Sequence, residues 1–257
     1  MKNNIKFSII TPSFNQGDFI EQTIQSLLAQ EYKNYEHIII DGGSTDRTID
    51  VLKKYSEKVK WISEKDKGQS DAINKGFRMA SGDVLAWLNS DDYYYPNTLQ
   101  VVANFFADHP VSGWVTGDYC VVDSKGKQIR SFIPWYKALL RKHPSKAMLS
   151  LANFIVQPST FWRKEVEIGV GTINNNLHYT MDYEYWFRIF EHYSLSVIEE
   201  KLSAFRVHDS SKCGIMYEKV FQEEMKVLKL YSSNKLLNTL HRVHNQCIIK
   251  AYQFLSV

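Results

Sequence analysis

Residues 5–46 read IKFSIITPSFNQGDFIEQTIQSLLAQEYKNYEHIIIDGGSTD, and this stretch decides the fold class. Residues 5–11 form a short β-rich run that ends at a proline, which interrupts ladder pairing. Apolar residues within 19–28 then recur at helical spacing, and 37–40 form a second apolar run before a turn. The order predicts a strand, a helix and a second strand parallel to the first.

The same alternation continues outward from this stretch along the first part of the chain. The spacing predicts a helix after the turn at 41–44 and then a strand, a helix and a strand at 60–63, 69–80 and 84–88. Strands that alternate with helices of this length imply an α/β fold, with a mostly parallel sheet and helices on both faces.

Three of these predicted strands end in polar, turn-forming clusters, which begin at Thr11, Asp41 and Asn89. In open α/β sheets, ligands bind outside the carboxyl ends of the strands. We therefore expect the three clusters to line one crevice.

The second half of the chain is less regular. A β-hairpin is predicted at 114–129, with its turn at 123–126. Further patterns predict a helix, a strand, a helix and a strand, in that order, at 135–153, 157–162, 183–192 and 196–207.

The bulk composition fits a globular enzyme. The chain has 257 residues, 44% apolar and 23% charged, which suits one sizeable α/β domain with an appendage. Its formal charge of +3 is too small to favour nucleic acid as a partner. Three widely spaced cysteines predict free thiols in a reducing cytoplasm. The sequence has no apolar run of about 18 residues and no signal-peptide core, which predicts neither a transmembrane helix nor secretion.

Two acidic clusters are candidates for ligand binding. Asp41 stands at a strand end before two glycines, where it could accept hydrogen bonds from a nucleotide; the alternative is a tight turn with a helix cap. Asp91 and Asp92 are adjacent carboxylates after a predicted buried strand, which is costly unless a cation lies there. Magnesium or manganese would suit such oxygen ligands, and the alternative is a solvated turn.

Two further residues are candidates for catalysis and metal binding. Asp182 precedes an amphipathic helix, so it either caps that helix or acts as a general base, a role that contributes about 10²–10⁴-fold in rate. His208 follows a predicted strand. It is either an ordinary structural side chain or the third member of a metal site with Asp91 and Asp92.

Residues 225–257 contain no Asp or Glu but carry five Lys or Arg residues. One helical face would hold Leu236, Leu240, Val243, Cys247, Ala251 and Phe254. A basic amphipathic helix of this kind can lie on an anionic membrane, which would give peripheral membrane contact through 215–257. The alternative, which the usual role of such stripes favours, is packing on the core or on a second subunit in a homodimer.

Taken in order, seven motifs resemble the family-2 glycosyltransferases: TPSFNQ, IIDGGSTD, SEKDKGQSDAINKGF, GDVLAWLNSDD, QPSTFW, MDYEYWFR and FRVHDSS. The resemblance runs from about residue 6 to residue 211, and the joint order is far more specific than any one motif. It implies a GT-A fold, a Rossmann-like nucleotide-sugar-binding sheet, with a nucleotide-binding half at 1–110 and an acceptor-binding half at 111–211. A helical C-terminal extension would occupy 212–257.

The resemblance also implies the roles of individual residues. Asp182 would be the catalytic base, and Gln157 would lie near the donor sugar or the acceptor. Asp91, Asp92 and His208 would bind Mn²⁺ or Mg²⁺. The nucleotide-sugar would be bound by Thr11, Pro12, Phe14, Asn15, Asp41, Ser44, Asp46, Lys67, Asp71, Lys75, Ser90 and Asp91. Three positions depart from the family pattern, because Gly42, Asn89 and Met181 stand where acids are usual.

The implied function is inverting transfer of a hexosyl or N-acetylhexosaminyl group from a nucleotide diphosphate-sugar, UDP-linked, to a glycan or lipid-linked glycan. Such members build bacterial surface polysaccharides in the cytoplasm, at the inner face of the membrane. A sugar nucleotidyltransferase is one alternative, but it would need a glycine-rich basic loop after the first strand. The other alternative is a non-catalytic nucleotide-sugar-binding module, which the retention of Asp91, Asp92 and Asp182 argues against.

Overall fold

The computed structural model of the chain describes residues 5–209, 211 and 217–255, and for Tyr217 and residues 250–255 it describes the backbone alone. Three residues singled out in the sequence, Cys213 and the side chains of Ala251 and Phe254, therefore lie outside the described part.

Nine strands, β1 to β9, lie within the described residues: Phe7–Ser13, Tyr35–Asp41, Lys60–Ser63, Val84–Trp87, Tyr93–Tyr94, Trp114–Val122, Gln128–Ile129, Thr160–Arg163 and Leu195–Arg206. Ten α-helices, α1 to α10, lie there as well: Ile20–Leu28, Thr48–Lys54, Gln69–Met79, Thr98–Asp108, Phe132–Arg141, Lys146–Leu151, Lys164–Val170, Met181–Phe190, Tyr217–Tyr231 and Lys235–Leu255.

The strands form one sheet in the order β3-β2-β1-β4-β8-β6-β9-β5, with β7 paired to β6. The first four strands are parallel, as predicted, and Ser13 pairs with Asp41, which pairs with Ser63. This register brings the carboxyl ends of β1, β2 and β3 to the same edge. Beyond β4 the sheet is mixed, because β8 runs antiparallel to both of its neighbours.

Strand β1 is buried along its whole length, which its run of apolar and small polar residues allows in a strand covered on both faces. Helix α3 lies against it with unusually close contact. A Cβ atom on Gly76 would stand 2.4 Å from Cγ2 of Ile10, so only glycine permits this approach.

The predicted elements of the first half and the hairpin at 114–129 are confirmed. Two predictions in the second half are wrong in detail. The region 135–153 forms two helices, α5 and α6, and the predicted strand at 157–162 begins only at Thr160. Residues Gln157–Ser159 instead form a 3₁₀ turn, because Pro158 has no N–H for a sheet ladder.

Four tryptophans fill the centre of the core: Trp87, Trp114, Trp162 and Trp186. The rings of Trp87 on β4 and Trp186 on α8 stack with centroids 5.6 Å apart and planes within 6°. Aromatic pairs of this kind add to the free energy of burial, so α8 is held firmly against the end of β4.

The C-terminal helices α9 and α10 form a hairpin on the rest of the fold. Helix α9 packs on α8, and α10 packs on α6. The expectation that the apolar stripe of α10 packs on the core is wrong for its described side chains, because Leu236, Leu240, Val243 and Cys247 are exposed. The buried side of α10 carries His241 and Asn245 instead.

The part of the chain that the structure describes holds no helix long and apolar enough to cross a membrane.

Candidate active site

The loops after β1 and β2 are clasped together by side-chain hydrogen bonds. The backbone N–H of Asn15 donates to Ser44 Oγ at 2.7 Å, and Asn15 Oδ1 accepts from the Thr45 N–H at 2.9 Å. Gly17 N–H donates to Asp46 Oδ2 at 2.9 Å. Asn15 has φ 53°, a left-handed conformation that asparagine tolerates better than most residues. The two predicted clusters therefore form one rim.

Other members of the predicted nucleotide site lie at different depths around this rim. Phe14 is exposed at its edge. Thr11, Pro12 and Ser90 are buried beneath it, and the Thr11 hydroxyl lies 2.8 Å from His37 Nε2. The backbone of Ser90 is also fixed, because Thr23 Oγ1 donates to its carbonyl at 2.9 Å.

Asp41, predicted to hold the nucleobase, is buried, and its carboxylate organises its own loop. Oδ2 accepts from the N–H groups of Gly43 at 3.1 Å and Ser44 at 2.9 Å, and from Ser63 Oγ at 2.6 Å. Oδ1 accepts from Ser44 Oγ at 2.5 Å. A carboxylate offers about four acceptor sites, so a nucleobase would have to replace one of these donors.

The predicted residues Lys67, Asp71 and Lys75 meet around the first turn of α3. Asp71 Oδ2 accepts from the Lys67 N–H at 3.1 Å and lies 3.6 Å from Lys75 Nζ. Lys75 Nζ lies 2.8 Å from Glu64 Oε1, a carboxylate that the sequence did not suggest. The Lys75 ammonium is largely buried and paired with these acids, which raise its pKa.

Asn89 stands where the family has an acid, and it joins three parts of the site. Its Oδ1 accepts from Gln69 Nε2 at 2.8 Å, while its Nδ2 donates to Asp92 Oδ2 at 3.2 Å and Gln157 Oε1 at 3.1 Å. Gln157 Nε2 in turn donates to the Trp87 carbonyl at 2.6 Å. An amide can accept and donate at once, whereas a carboxylate could not supply the two donor bonds.

The two adjacent aspartates occupy different surroundings. Asp92 is buried, and its Oδ1 accepts from the Arg206 N–H at 2.8 Å. Burial raises the pKa of Asp92, and the neighbouring Asp91 carboxylate adds to the rise. Asp91 is less buried, and its Oδ2 lies 3.1 Å from His208 Nε2. Asp91 and His208 therefore share one locus, while Asp92 ties this loop to β9.

Arg206 is a central residue of the site that sequence reasoning missed. Its guanidinium is buried and donates to the carbonyl of Asp91 at 2.8 Å, to two carbonyls of the β6–β7 turn at 3.0 Å, and to Gln22 Oε1 at 2.5 Å. It also lies over the rings of Phe19 and Tyr93. These bonds fix the backbone that carries Asp91. The only sequence signal was its place in FRVHDSS, beside His208.

The donor set at Asp91 and His208 fits a divalent cation. Within the described ranges, no group of three His, Cys, Asp or Glu side chains could hold a metal by itself. Mg²⁺, however, is commonly bound through one or two carboxylates plus substrate phosphates, and imidazole is a further donor that Mn²⁺ accepts. The Asp91 oxygen and the His208 nitrogen, 3.1 Å apart, are close enough to bind the same ion.

Asp182 lies in the first turn of α8, one turn before Trp186. Burial raises the pKa of its carboxyl to about 6, against the opposing effects of the Tyr183 N–H and the Lys137 ammonium. A carboxyl with such a pKa is ionised near neutral pH yet binds a proton more readily than an ordinary aspartate. Through the stack of Trp186 on Trp87, the helix that carries it is anchored at the end of β4.

A second missed residue, Glu223 on α9, caps the start of α8. Its carboxylate accepts from the N–H groups of His178, Tyr179 and Thr180 at 3.1, 2.7 and 2.8 Å. It also accepts from Thr180 Oγ1 at 3.0 Å, and Thr180 itself provides no side-chain cap. Helix N-termini leave N–H groups unsatisfied, and here a distant helix satisfies the segment that leads to Asp182. No local sequence pattern indicates this contact.

Comparison with solved structures supports the same architecture. *Staphylococcus aureus* TarS with UDP is 20% identical, with a TM-score of 0.66 over 88% of this chain and 65% of that one. The mannosyltransferase PcManGT from Pyrobaculum calidifontis, with GDP-Man and Mn²⁺, is 16% identical, with a TM-score of 0.67 over 98% and 80%. At such identities the likeness concerns the fold alone, and it confirms the GT-A, Rossmann-like architecture.

Sequence relatives point the same way. An uncharacterized glycosyltransferase of Rickettsia conorii is 27% identical over 252 residues, which are 90% of this chain and 41% of that protein. The putative teichuronic acid biosynthesis glycosyltransferase TuaG of Bacillus subtilis is 35% identical over 130 residues, 49% of this chain and 51% of its own length. The chain thus spans about half, or less, of these two relatives.

The family model described as glycosyl transferase family 2 matches residues 8–167. This match covers more than half of the 257 residues and contains the rim, the α3 cluster and the end of β4. The chain therefore belongs to glycosyl transferase family 2.

Proposed function

We propose that the chain transfers a hexosyl or N-acetylhexosaminyl group from a UDP-linked sugar to a hydroxyl of a glycan or lipid-linked glycan, with inversion at the anomeric carbon. The observation that carries the proposal is the pairing of Asp91 with His208 at the end of β4. A metal-binding pair at the ligand-binding edge of an α/β sheet is what a diphosphate donor requires. Membership of the family supports the reaction class.

A divalent cation bound at Asp91 and His208 would neutralise the diphosphate and make it a better leaving group. The residues of the chain then supply position and proton transfer. Arg206 holds the carbonyl of Asp91, so that its carboxylate stays aimed at the same point as His208. Asn89 fixes Gln157 at the same strand end, beside the proposed place of the sugar.

Asp182 acts as the general base in this proposal. The acceptor oxygen attacks the anomeric carbon, its proton passes to a carboxylate oxygen of Asp182, and the bond from the anomeric carbon to the diphosphate breaks. One in-line displacement of this kind inverts the configuration, and it needs no covalent glycosyl-enzyme. The buried carboxyl, with its pKa of about 6, is supported as the base because it is ionised and desolvated at neutral pH.

We assign the donor nucleotide to the rim formed by the first two loops. Phe14 and Asn15 would contact the base or ribose, and the loop from Asp41 to Asp46 would lie on the other side of it. Lys67, Asp71 and Lys75 would flank the diphosphate-sugar. Structures of the same fold hold UDP, UDP-GlcNAc and GDP-Man, which supports a nucleotide-sugar donor.

The acceptor is proposed to belong to surface polysaccharide synthesis. TuaG, with which the chain shares 35% identity over 130 residues, bears a name that refers to teichuronic acid biosynthesis. An acceptor carried on a lipid would bring the enzyme to the inner face of a membrane. We therefore propose a cytoplasmic protein with peripheral membrane contact.

Metal-dependent donor binding tests the proposal directly. Thermal shift with UDP-, GDP- and dTDP-linked sugars, each with and without Mn²⁺, should show stabilisation by a UDP-sugar that depends on the metal. Asp91→Asn should remove the metal-dependent part, while Asp108→Asn, an exposed substitution at the end of α4, should leave it intact. An equal shift with and without Mn²⁺ in the unmodified protein would contradict the metal site.

Product analysis separates a transferase from a mere binding module. With a bound donor and a hydroxyl acceptor, NMR of the product should show the anomeric configuration opposite to that of the donor. Asp182→Asn should bind the donor normally and form no product. A chain that binds the donor with Mn²⁺ but neither transfers nor hydrolyses it would be a non-catalytic module.

A further inference from the structure

Helix α10 buries its polar side and exposes its apolar side. His241 is 0% exposed and accepts or donates at 2.9 Å to Asn245, whose Nδ2 also donates to Glu224 Oε2 at 2.9 Å. On the opposite side, Leu236 is 67% and Val243 50% exposed. The spacing of Leu236, Leu240, Val243 and Cys247 puts all four on that outer side. An apolar stripe on the outside of a helix that is already packed needs another partner.

Helix α5 presents a second apolar surface beside this stripe. Phe132 and Trp135 are 65% and 60% exposed, and Leu139, one turn further, is exposed as well. The ring of Tyr136 stacks on that of Phe132 and also on that of His244, which lies one turn after Leu240 on α10. The exposed side chains of the two helices therefore adjoin. We call this surface, made of Phe132, Trp135, Leu139, Leu236, Leu240 and Val243, the α5–α10 face.

The charge around the α5–α10 face has one sign. Residues 124–164, which contain α5, include no Asp or Glu, and neither do residues 225–257, which contain α10. Lys142, Lys235 and Arg242 are exposed at the ends or along the flank of these helices. Exposed leucine and tryptophan with flanking cations is the composition of helices that lie in the interface of an anionic bilayer.

We propose that the α5–α10 face docks the protein on an anionic lipid bilayer. A second copy of the chain fits this face less well. In a two-fold contact the same surface meets itself, so two basic, acid-free segments would face each other and repel. Anionic lipid headgroups neutralise the cations, while the acyl region takes up the leucine, phenylalanine and tryptophan side chains.

The position of the face gives docking a role in the proposed reaction. Lys137 of α5 acts electrostatically on Asp182, and the ring of His241 on α10 stacks on Tyr183 at 6.0 Å. The docked face and the proposed base thus lie on neighbouring surfaces. Docking would bring an acceptor held by a lipid towards Asp182, and to that extent the inference deepens the proposed membrane contact.

Vesicle flotation tests the proposal with the full-length chain. The unmodified protein should float with vesicles of phosphatidylglycerol and phosphatidylcholine, much less with phosphatidylcholine alone, and less in high salt. A triple variant, Trp135→Ser with Leu240→Ser and Val243→Ser, should lose about tenfold or more of its affinity for the anionic vesicles. The matched control is Val111→Ser with Ile168→Ser, at two exposed apolar positions outside the face, and it should bind as the unmodified protein does.

Circular dichroism and UDP binding should be the same for both variants, which shows that the change lies in docking and not in folding. Absence of flotation with anionic vesicles, or equal loss in the control, would overturn the proposal. A dimer in sedimentation equilibrium that the triple variant dissociates, without vesicle binding by the unmodified protein, would make the face a subunit interface and overturn it too. Because flotation needs no turnover, a chain that docks but transfers no sugar would refute the proposed reaction and leave the docking face standing.

Discussion

Asp182 is the residue on which the proposed reaction depends most, and its surroundings make its protonation state measurable. The groups that act on it come from three elements: the Tyr183 N–H of α8, Lys137 of α5 and Glu224 of α9. Burial outweighs them and raises its pKa to about 6. A base must be unprotonated, so we expect kcat/KM for transfer to fall as the pH drops through about 6. A pH–rate profile with saturating Mn²⁺ checks this, and a flat profile from pH 7.5 down to 5 would contradict it.

The same carboxyl should cost the protein stability. In the unfolded chain an aspartate titrates near a pKa of about 3.9, so between pH ~4 and ~6 the folded state binds more protons than the unfolded state. The free energy of unfolding therefore falls as the pH rises through this window. We expect Asp182→Asn to raise it at pH 7.5 by up to about 3 kcal/mol and to have little effect below pH ~4. Urea denaturation at the two pH values measures the difference; a variant less stable at pH 7.5 would refute this account.

Arg206 should be intolerant even of a conservative change. Lysine keeps the charge but cannot reach the carbonyl of Asp91, the β6–β7 turn and Gln22 at once. We expect Arg206→Lys to cost about 2–4 kcal/mol in the free energy of unfolding and to weaken metal-dependent UDP binding. Calorimetric titration with and without Mn²⁺ measures the second effect. Arg78→Lys, at an exposed position on α3, is the matched control and should change neither quantity.

At this scale the sequence identified polar residues better than it identified their partners. Asp91 and His208 are recognisable as candidates from their motifs, and the structure brings them together. The burial of Asp92 and the role of Arg206 were out of reach, because the two residues are 114 positions apart and meet only where β9 passes the end of β4. Local patterns carry no information about such a pairing.

At the scale of elements, the cap from α9 onto α8 is the contact with the clearest consequence. We expect Glu223→Ala to lower the free energy of unfolding by about 1–2 kcal/mol, the usual cost of losing a helix cap. If the cap also positions Asp182, kcat should fall while the KM for the donor stays unchanged, and Glu223→Gln should restore part of the activity. Steady-state kinetics at several pH values measure this split.

The matched control for that experiment is Glu218→Ala, an exposed acid on the same helix. It should leave both stability and kcat close to those of the unmodified protein. Should Glu223→Ala lose stability but retain kcat and its pH dependence, the cap would be structural only.

Elements with strong local periodicity were predictable, and elements defined by distant pairing were not. Strands β1 to β4 and the helices between them follow directly from alternating apolar runs. Strand β5 has only two residues, Tyr93–Tyr94, and exists because it pairs with β9 more than a hundred residues later. Helix α4 has its apolar residues at helical spacing, so that element was readable and was overlooked.

On the scale of the whole molecule, the α/β class and the meeting of strand ends at one edge followed from the sequence. The placement of the C-terminal helices did not. Periodicity shows that α10 has an apolar side, but it cannot show whether the fold covers that side or the polar one. Here the buried partners of α10 are polar, and His241 and Asn245 take the inner positions.

The C-terminal hairpin is part of the folded core, so its removal should be severe. Val227 and Leu228 of α9 are fully buried, and the ring of Tyr231 stacks on that of Phe187 with centroids 5.0 Å apart. We expect a chain lacking residues 215–257 to lose transfer activity and to unfold at a clearly lower temperature. Differential scanning calorimetry measures this, and an unchanged melting temperature would show that the hairpin is an independent appendage.

The stack of Trp186 on Trp87 has an optical consequence. Two indole rings 5.6 Å apart and nearly parallel absorb as a coupled pair, because their transition dipoles interact at that distance. Trp114 lies against the same ring of Trp186 at 5.6 Å, so the coupling extends over three chromophores. The near-ultraviolet circular dichroism of the protein should therefore be dominated by these rings. Since one of them belongs to the helix of Asp182 and another to the strand that leads to Asp91, that spectrum reports whether the two halves of the candidate site are held together.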